Sequence, residues 1–213
     1  MNIFIFDDHD MLRKGLIACF SDSSTYTLVG EAKDIISAKK IITDYVPNFD
    51  VPTVAIVDVG FSEDGYTIEK ALGFELVSFI TKSNKNIKCL MYSSYSGQAY
   101  IRKAISQEIG ASGYISKTSD SNILIEGVNA VAKGKTYIDP YLSSVLVETN
   151  NVYDLLSKRE KEVLTLVQKN YSNEEISMEL NITNRTTENH LSAIYTKVDV
   201  KNKEQLIEMF GRL

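Results

Sequence analysis

The hydrophobic pattern changes character along the chain. Four short runs, 2–6 (NIFIF), 53–59 (TVAIVDV), 87–92 (IKCLMY) and 113–116 (GYIS), are almost continuously apolar. Runs of this kind predict strands buried on both faces, as in a parallel sheet covered by helices. A weaker run at 27–31 predicts a fifth strand. Between the runs, residues 10–20, 34–45, 72–82, 97–107 and 119–133 follow a helical pattern. Strand and helix therefore alternate five times over 1–135. That order predicts an α/β domain with a doubly wound five-stranded parallel sheet. In such sheets ligands sit at the carboxyl ends of the strands.

Beyond this the pattern weakens. Pro140, the Ser143–Ser144 pair and the Asn150–Asn151 pair mark 136–153 as a linker, with a helical pattern inside it at 141–147. Residues 154–213 hold helical patterns only. Ser157 and Glu160, and again Ser172 and Glu175, have the spacing of capping boxes, in which the serine oxygen takes an orphan N–H and the glutamate reaches back. Thr183 or Asn184 caps a third helix running to about Val198, and 202–210 form a fourth. Four short helices with a tight turn between the second and third predict a helix-turn-helix.

Composition adjusts this picture. The chain carries 44% hydrophobic and 24% charged residues, ordinary for a globular protein, and a net charge of −5. Residues 154–213 hold 9 basic and 10 acidic side chains. Any affinity for DNA must then come from local placement of charge rather than from a basic domain. No run approaches the roughly 18 apolar residues of a membrane span, and the first apolar run ends in Asp7, Asp8 and Asp10 rather than in a cleavage site. Cys19 and Cys89 lie far apart inside apolar runs and read as reduced core residues. The expectation is a cytoplasmic protein without membrane contact.

The chemistry gathers at the strand ends. Asp7 and Asp8 follow the first strand, Asp58 ends the third, Ser93 ends the fourth and Lys117 follows the fifth. A parallel sheet brings all five to one edge. Two carboxylates ~4 Å apart repel by about 4 kcal/mol at an effective dielectric of 20. A hard cation relieves this, and Mg²⁺ suits one or two carboxylates with phosphate oxygens completing its shell. Ser93 can donate to a phosphoryl oxygen, and Lys117 can neutralise another. The set suits in-line phosphoryl transfer to a carboxylate. Each residue alone has a plainer reading, the acidic pair as a helix cap and the lysine as a solvated charge; the five together carry the argument.

The run Asp7-Asp8-His9-Asp10-Met11-Leu12-Arg13-Lys14-Gly15-Leu16 resembles the opening of receiver domains in the NarL/FixJ group of two-component response regulators, and 113–117 resembles their fifth strand. The resemblance implies a flavodoxin-like receiver in which Asp58 accepts a phosphoryl group from a sensor histidine kinase. It also implies that Asp8, Asp58 and the Gly60 carbonyl hold Mg²⁺, with Asp7 contributing through water. Ser93 and Tyr114 match the family's switch pair, in which the hydroxyl moves toward the phosphoryl group and the ring turns inward. Two departures stand out. Phe61-Ser62 replaces the usual Met-Pro, in a loop several residues longer than the family's, and the connection around 107–109 is extended.

Residues 156–206 resemble the LuxR-type helix-turn-helix, through Leu156, Ser157, Arg159, Glu160, Glu162, Val163, Leu164 and Leu166, then Ser172, Asn173, Glu175, Ile176, Leu180 and Ile182, then Thr186, Asn189, His190, Ile194, Lys197, Val198 and Val200. Most of these form a core or a cap, and His190 reads as a packed residue. Arg185, Glu188, Asn189 and Ser192 are the expected base-facing side chains of the third helix, since Asn can pair with adenine and Glu can accept from cytosine. Lys197, Lys201, Lys203 and the Thr186 hydroxyl are the expected phosphate contacts. The family often has a basic residue where this chain has Glu188 and Leu191, which points to weak monomer affinity and to a homodimer on double-stranded DNA.

The reading is a regulator, not an enzyme, in which phosphorylation of Asp58 controls DNA binding. The near-neutral C-terminal part keeps a second reading open: an adaptor that has lost DNA binding. A haloacid-dehalogenase type phosphatase also uses Asp, Ser, Lys and Mg²⁺. Asp8 and Asp10 partly imitate its motif, but Leu12 stands where Thr or Val is expected, and Asp58 is left without a role.

Overall fold

A computed structural model of the chain describes residues 1–21, 24–60 and 71–211. They gather into two compact units, the first comprising Met1–Ser96 with Arg102–Leu142 and the second Gly97–Ile101 with Ser143–Leu213. The departure at Phe61 and Ser62 lies outside the described residues.

Through Ile138 the order is β1 (Asn2–Phe6), α1 (Asp10–Ser21), β2 (Thr27–Ala32), α2 (Ile35–Asp44), β3 (Thr53–Val57), α3 (Leu72–Ser83), β4 (Ile87–Ser93), α4 (Gln98–Ile105), β5 (Gly113–Ser116), α5 (Ser121–Ala132) and β6 (Tyr137–Ile138). The strands lie in the order β2-β1-β3-β4-β5-β6, and every pairing is parallel. Five strands were expected and, among the described residues, six are present. The sixth is short and pairs with β5 through Gly113↔Tyr137 and Tyr114↔Ile138. The stretch 136–153, expected as a linker, thus contains β6 and most of α6 (Pro140–Asp154).

Burial explains which strands were easy to read. Every residue of β3 is buried, and so is all of β1 after Asn2. The edge strand β2 is exposed or half-buried up to Ala32, so its sequence lacks an apolar run. Leu16 and Phe20 of α1 and Leu124, Val128 and Val131 of α5 join Ile3, Ile5, Val54 and Ile56 in one core cluster. Capping fixes helix starts: Asp34 accepts from Ser37 N at 2.8 Å and Asp120 from Asn122 N at 2.8 Å. The extended connection at 107–109 is a turn after α4, closed by Gly110 N donating to Ser106 O at 2.7 Å, with Gly110 at φ 79°.

The second unit contains α7 (Lys158–Gln168), α8 (Asn173–Glu179), α9 (Asn184–Val198) and α10 (Lys203–Phe210). Both expected capping boxes are complete. Thr183 caps α9 and Asn202 caps α10. Val163, Leu164, Val167, Ile176, Leu191, Ile194, Val198 and Leu206 form its core cluster. Among the described residues no helix is long and apolar enough to cross a membrane.

Candidate functional site

The sheet edge is built by backbone ladders that continue one residue past each strand. Asp7 N donates to Ala32 O at 3.2 Å, Asp58 N to Phe6 O at 2.9 Å and Lys117 N to Ser93 O at 2.8 Å. These bonds place Asp7, Asp58 and Lys117 side by side at the carboxyl ends of β1, β3 and β5. Glycine makes one approach possible. A Cβ on Gly73 would fall 1.9 Å from Asp58 O, so the start of α3 can pack on the end of β3 only without a side chain there.

Lys117 Nζ lies 2.8 Å from Asp7 Oδ2 and 2.8 Å from Asp58 Oδ2. Asp7 and Asp58 are 2% and 4% exposed. Burial raises the Asp58 carboxyl above the usual range, Lys117 opposes the rise and Asp7 adds to it. Burial pulls the Lys117 ammonium the other way, but Asp58 and Asp7 outweigh it and hold its pKa above the ordinary lysine value. Lys117 is therefore a fixed positive charge. Arg13, whose guanidinium donates to Asp7 O at 2.9 Å, Glu31 Oε2 at 2.8 Å and Asp10 Oδ1 at 2.7 Å, ties the acidic loop to α1 and β2.

Asp7, Asp8, His9 and Asp58 offer ligand atoms that all lie within 4.8 Å of one another. Asp8 Oδ1 is buried and makes no hydrogen bond, although His9 Nδ1 lies 2.8 Å away. An orphaned carboxylate oxygen beside two further carboxylates is a donor set that fits a hard divalent cation. Gly60, expected to contribute its carbonyl, donates its N–H to Asp58 Oδ1 at 3.2 Å. His9 is a residue that the sequence reading left without a role. Its ring also sits 3.2 Å from Asp7 Oδ1.

Ser93 and Tyr114 are both fully buried, so the tyrosine ring is inward in this structure. Both bond to the backbone of one residue: Tyr95 N donates to Ser93 Oγ at 3.0 Å, and Tyr114 OH donates to Tyr95 O at 2.6 Å. Tyr95, too, carried no signal in the sequence.

In the second unit, α8 and α9 are joined by a turn with Asn181 at φ 50°, a conformation Asn tolerates better than most residues. Arg159 Nη2 donates to Leu180 O at 2.6 Å and braces that turn. Arg185, Glu188, Asn189 and Ser192 are exposed at helical spacing on one face of α9. At ~1.5 Å per residue α9 is long enough to lie along a major groove. Thr186 is occupied in the cap, its hydroxyl 2.8 Å from that of Thr183. Lys197 Nζ lies 2.7 Å from Glu160 Oε2, and Lys203 donates to Tyr171 O. Lys201 is exposed. Leu191 requires a correction. It was read as a lost DNA contact, but it is 4% exposed within the core cluster, so its apolar character serves packing.

Residues 3–129 match the family described as the response regulator receiver domain. Residues 154–210 match the bacterial regulatory proteins of the luxR family. The chain is 30% identical to the oxygen regulatory protein NreC of Staphylococcus carnosus over 98% of its length and 95% of that protein. The NreC of Staphylococcus haemolyticus is 30% identical over the same shares. Among solved structures, the two-component response regulator RcsB–DNA complex superposes with a TM-score of 0.72 at 21% identity, covering 100% of this chain and 98% of that one. RcsB from Salmonella enterica serovar Typhimurium, bound to promoter rprA in the presence of phosphomimetic BeF3-, gives 0.71 at 22% identity over 99% and 98%. These structural likenesses carry the fold.

Proposed function

The chain belongs to the response regulators that join a receiver domain to a LuxR-type DNA-binding domain, and we propose on that basis that phosphoryl transfer from a sensor histidine kinase to Asp58 controls transcription through DNA binding by 154–213. Residues 1–135 act as the receiver and 136–153 as the connection. The observation that carries this reading is the buried triangle of Asp7, Asp58 and Lys117, with the orphaned Asp8 Oδ1 beside it.

An Asp58 oxygen forms the new P–O bond as the bond from phosphorus to the donor's imidazole nitrogen breaks, and the imidazole leaves with its electron pair. Asp7, Asp8, Asp58 and the Gly60 carbonyl would hold Mg²⁺, which when bound offsets charge on the carboxylates and phosphoryl oxygens. Lys117 trades its ion pair with Asp58 for a phosphoryl oxygen. Ser93 already accepts from Tyr95 N, and a hydroxyl that accepts still has a proton to donate. Tyr114, its ring already inward, is tied to Ser93 through the backbone of Tyr95. Incubation with acetyl phosphate and Mg²⁺, read by intact mass, tests the assignment. The wild type gains one phosphoryl group and Asp58→Ala gains none; equal gain by both would overturn it.

The phosphorylated chain binds double-stranded DNA in the cytoplasm as a homodimer, with Arg185, Glu188, Asn189 and Ser192 toward the bases. Thr186, Lys197 and Lys201 face the phosphates. A second reading, an adaptor acting through protein contacts, draws support from the ion pair that engages Lys197. Gel shifts with the organism's own promoter fragments at low salt separate the two: no shift in either phosphorylation state favours the adaptor.

A further inference from the structure

Asp139 is a buried carboxylate, 2% exposed, that the phosphoryl chemistry above does not use. Burying a carboxylate is unfavourable unless donors surround it. Here one oxygen, Oδ1, accepts from Tyr141 N at 2.9 Å in the first turn of α6. The other, Oδ2, accepts from Ser116 N at 3.3 Å and from the Ser119 hydroxyl. Ser116 and Ser119 flank Lys117 in the chain.

A side chain needed only to cap α6 would use the Tyr141 contact and stop. Serine does that with one short oxygen. Asp139 adds a second acceptor that reaches back 23 residues to the end of β5. There the loop is already tightly wound, with Thr118 N donating to Ser116 Oγ at 3.2 Å and Ser119 N to Ser116 O at 3.1 Å. The one ammonium group that this loop presents must stand 2.8 Å from both Asp7 and Asp58.

We infer that Asp139 is a positioning residue for Lys117: its carboxylate clamps the Lys117 loop from both sides and fastens it to the first turn of α6. The inference rests on the reading of Asp58 as the phosphoacceptor. Through the clamp, the loop that meets the phosphoryl group and the start of α6 move as one piece.

Asp139→Ser separates the two arms, because serine still caps α6 but cannot span to Ser116 and Ser119. The rate of phosphoryl gain from acetyl phosphate, followed by intact mass, is expected to fall by about tenfold or more, as misplacement near 1 Å does elsewhere. Amide hydrogen exchange at 117–119 should quicken while that at the start of α6 stays as in wild type. Ser119→Ala should lower the rate in the same direction. Added to Asp139→Ser it should lower it no further, since both cut one connection. Wild-type phosphorylation by Asp139→Ser, or independent losses from the two substitutions, would overturn the inference. Should Asp139→Ser fail to fold, Ser119→Ala alone still tests it, with unchanged rate and exchange as the adverse result. Absence of phosphorylation in the wild type would instead count against the reading of Asp58, and the exchange measurement would still report on the clamp.

Discussion

Single side chains carry constraints that spacing alone did not reveal. The glycine at 73 is one. Any Cβ there meets the Asp58 carbonyl, so Gly73→Ala should destabilise the first unit by about 1–3 kcal/mol, measured by urea unfolding, and slow phosphorylation of Asp58. Cys89 is another. Burial pushes its thiol up to about 12, which keeps it protonated and shielded at pH 8. The native chain should therefore yield at most one of its two thiols to a disulfide reagent, and the denatured chain both; two rapid native reactions would contradict the burial. The strand-end acids, Ser93 and Lys117 were legible because a parallel sheet lines up its carboxyl ends. Tyr95 and Asp139 were not, because Tyr114 and Ser116 reach them only in the folded chain; His9 was not, because a ring beside Asp7 and Asp8 in the same loop follows no spacing that marks it as a ligand. Leu191 was misread for a related reason: a family substitution pattern does not say which helix face a residue occupies.

Among elements, legibility followed burial and capping. The central strands and both capping boxes were readable, since each leaves a local signature. The strand β6 was not, because two residues pairing with one neighbour need no periodic pattern. The boxes lead to quantitative expectations. Ser172→Ala removes the α8 cap and should cost about 1 kcal/mol in chemical denaturation. In α7, Glu160 accepts from Ser157 N at 2.6 Å and from Lys197 Nζ. Burial alone would raise its pKa, but Lys197 and the Ser157 donors outweigh it and hold the carboxyl below its usual 4.5. The folded value being the lower one, this stabilisation is complete above about pH 4.5 and is lost as pH falls through the folded value. Glu160→Gln should weaken the second unit at pH 7 and flatten its stability profile in acid, followed by urea unfolding at several pH values.

For the whole molecule, charge sets the terms of DNA recognition. With a net charge of −5, and with Lys197 and Lys203 already engaged within the second unit, few cations remain to displace counterions. Each phosphate neutralised contributes about −0.9 to the slope of log affinity against log salt. A dimer of the phosphorylated chain should thus show a shallow slope, and breaking the Glu160–Lys197 pair with Glu160→Gln should steepen it. Fluorescence anisotropy across a salt series measures both. An unchanged slope would mean that Lys197 stays away from the phosphates.

The backbone of Tyr95 has a kinetic consequence. Because its N–H meets Ser93 and its carbonyl meets Tyr114, a state with one residue of the proposed switch pair moved and the other left behind would strand a buried polar group, at a cost of about 1–3 kcal/mol. Half-switched molecules should then be scarce. Relaxation-dispersion measurements at the two sites would report one shared exchange rate, the signature of a relay that reads out as on or off rather than by degrees.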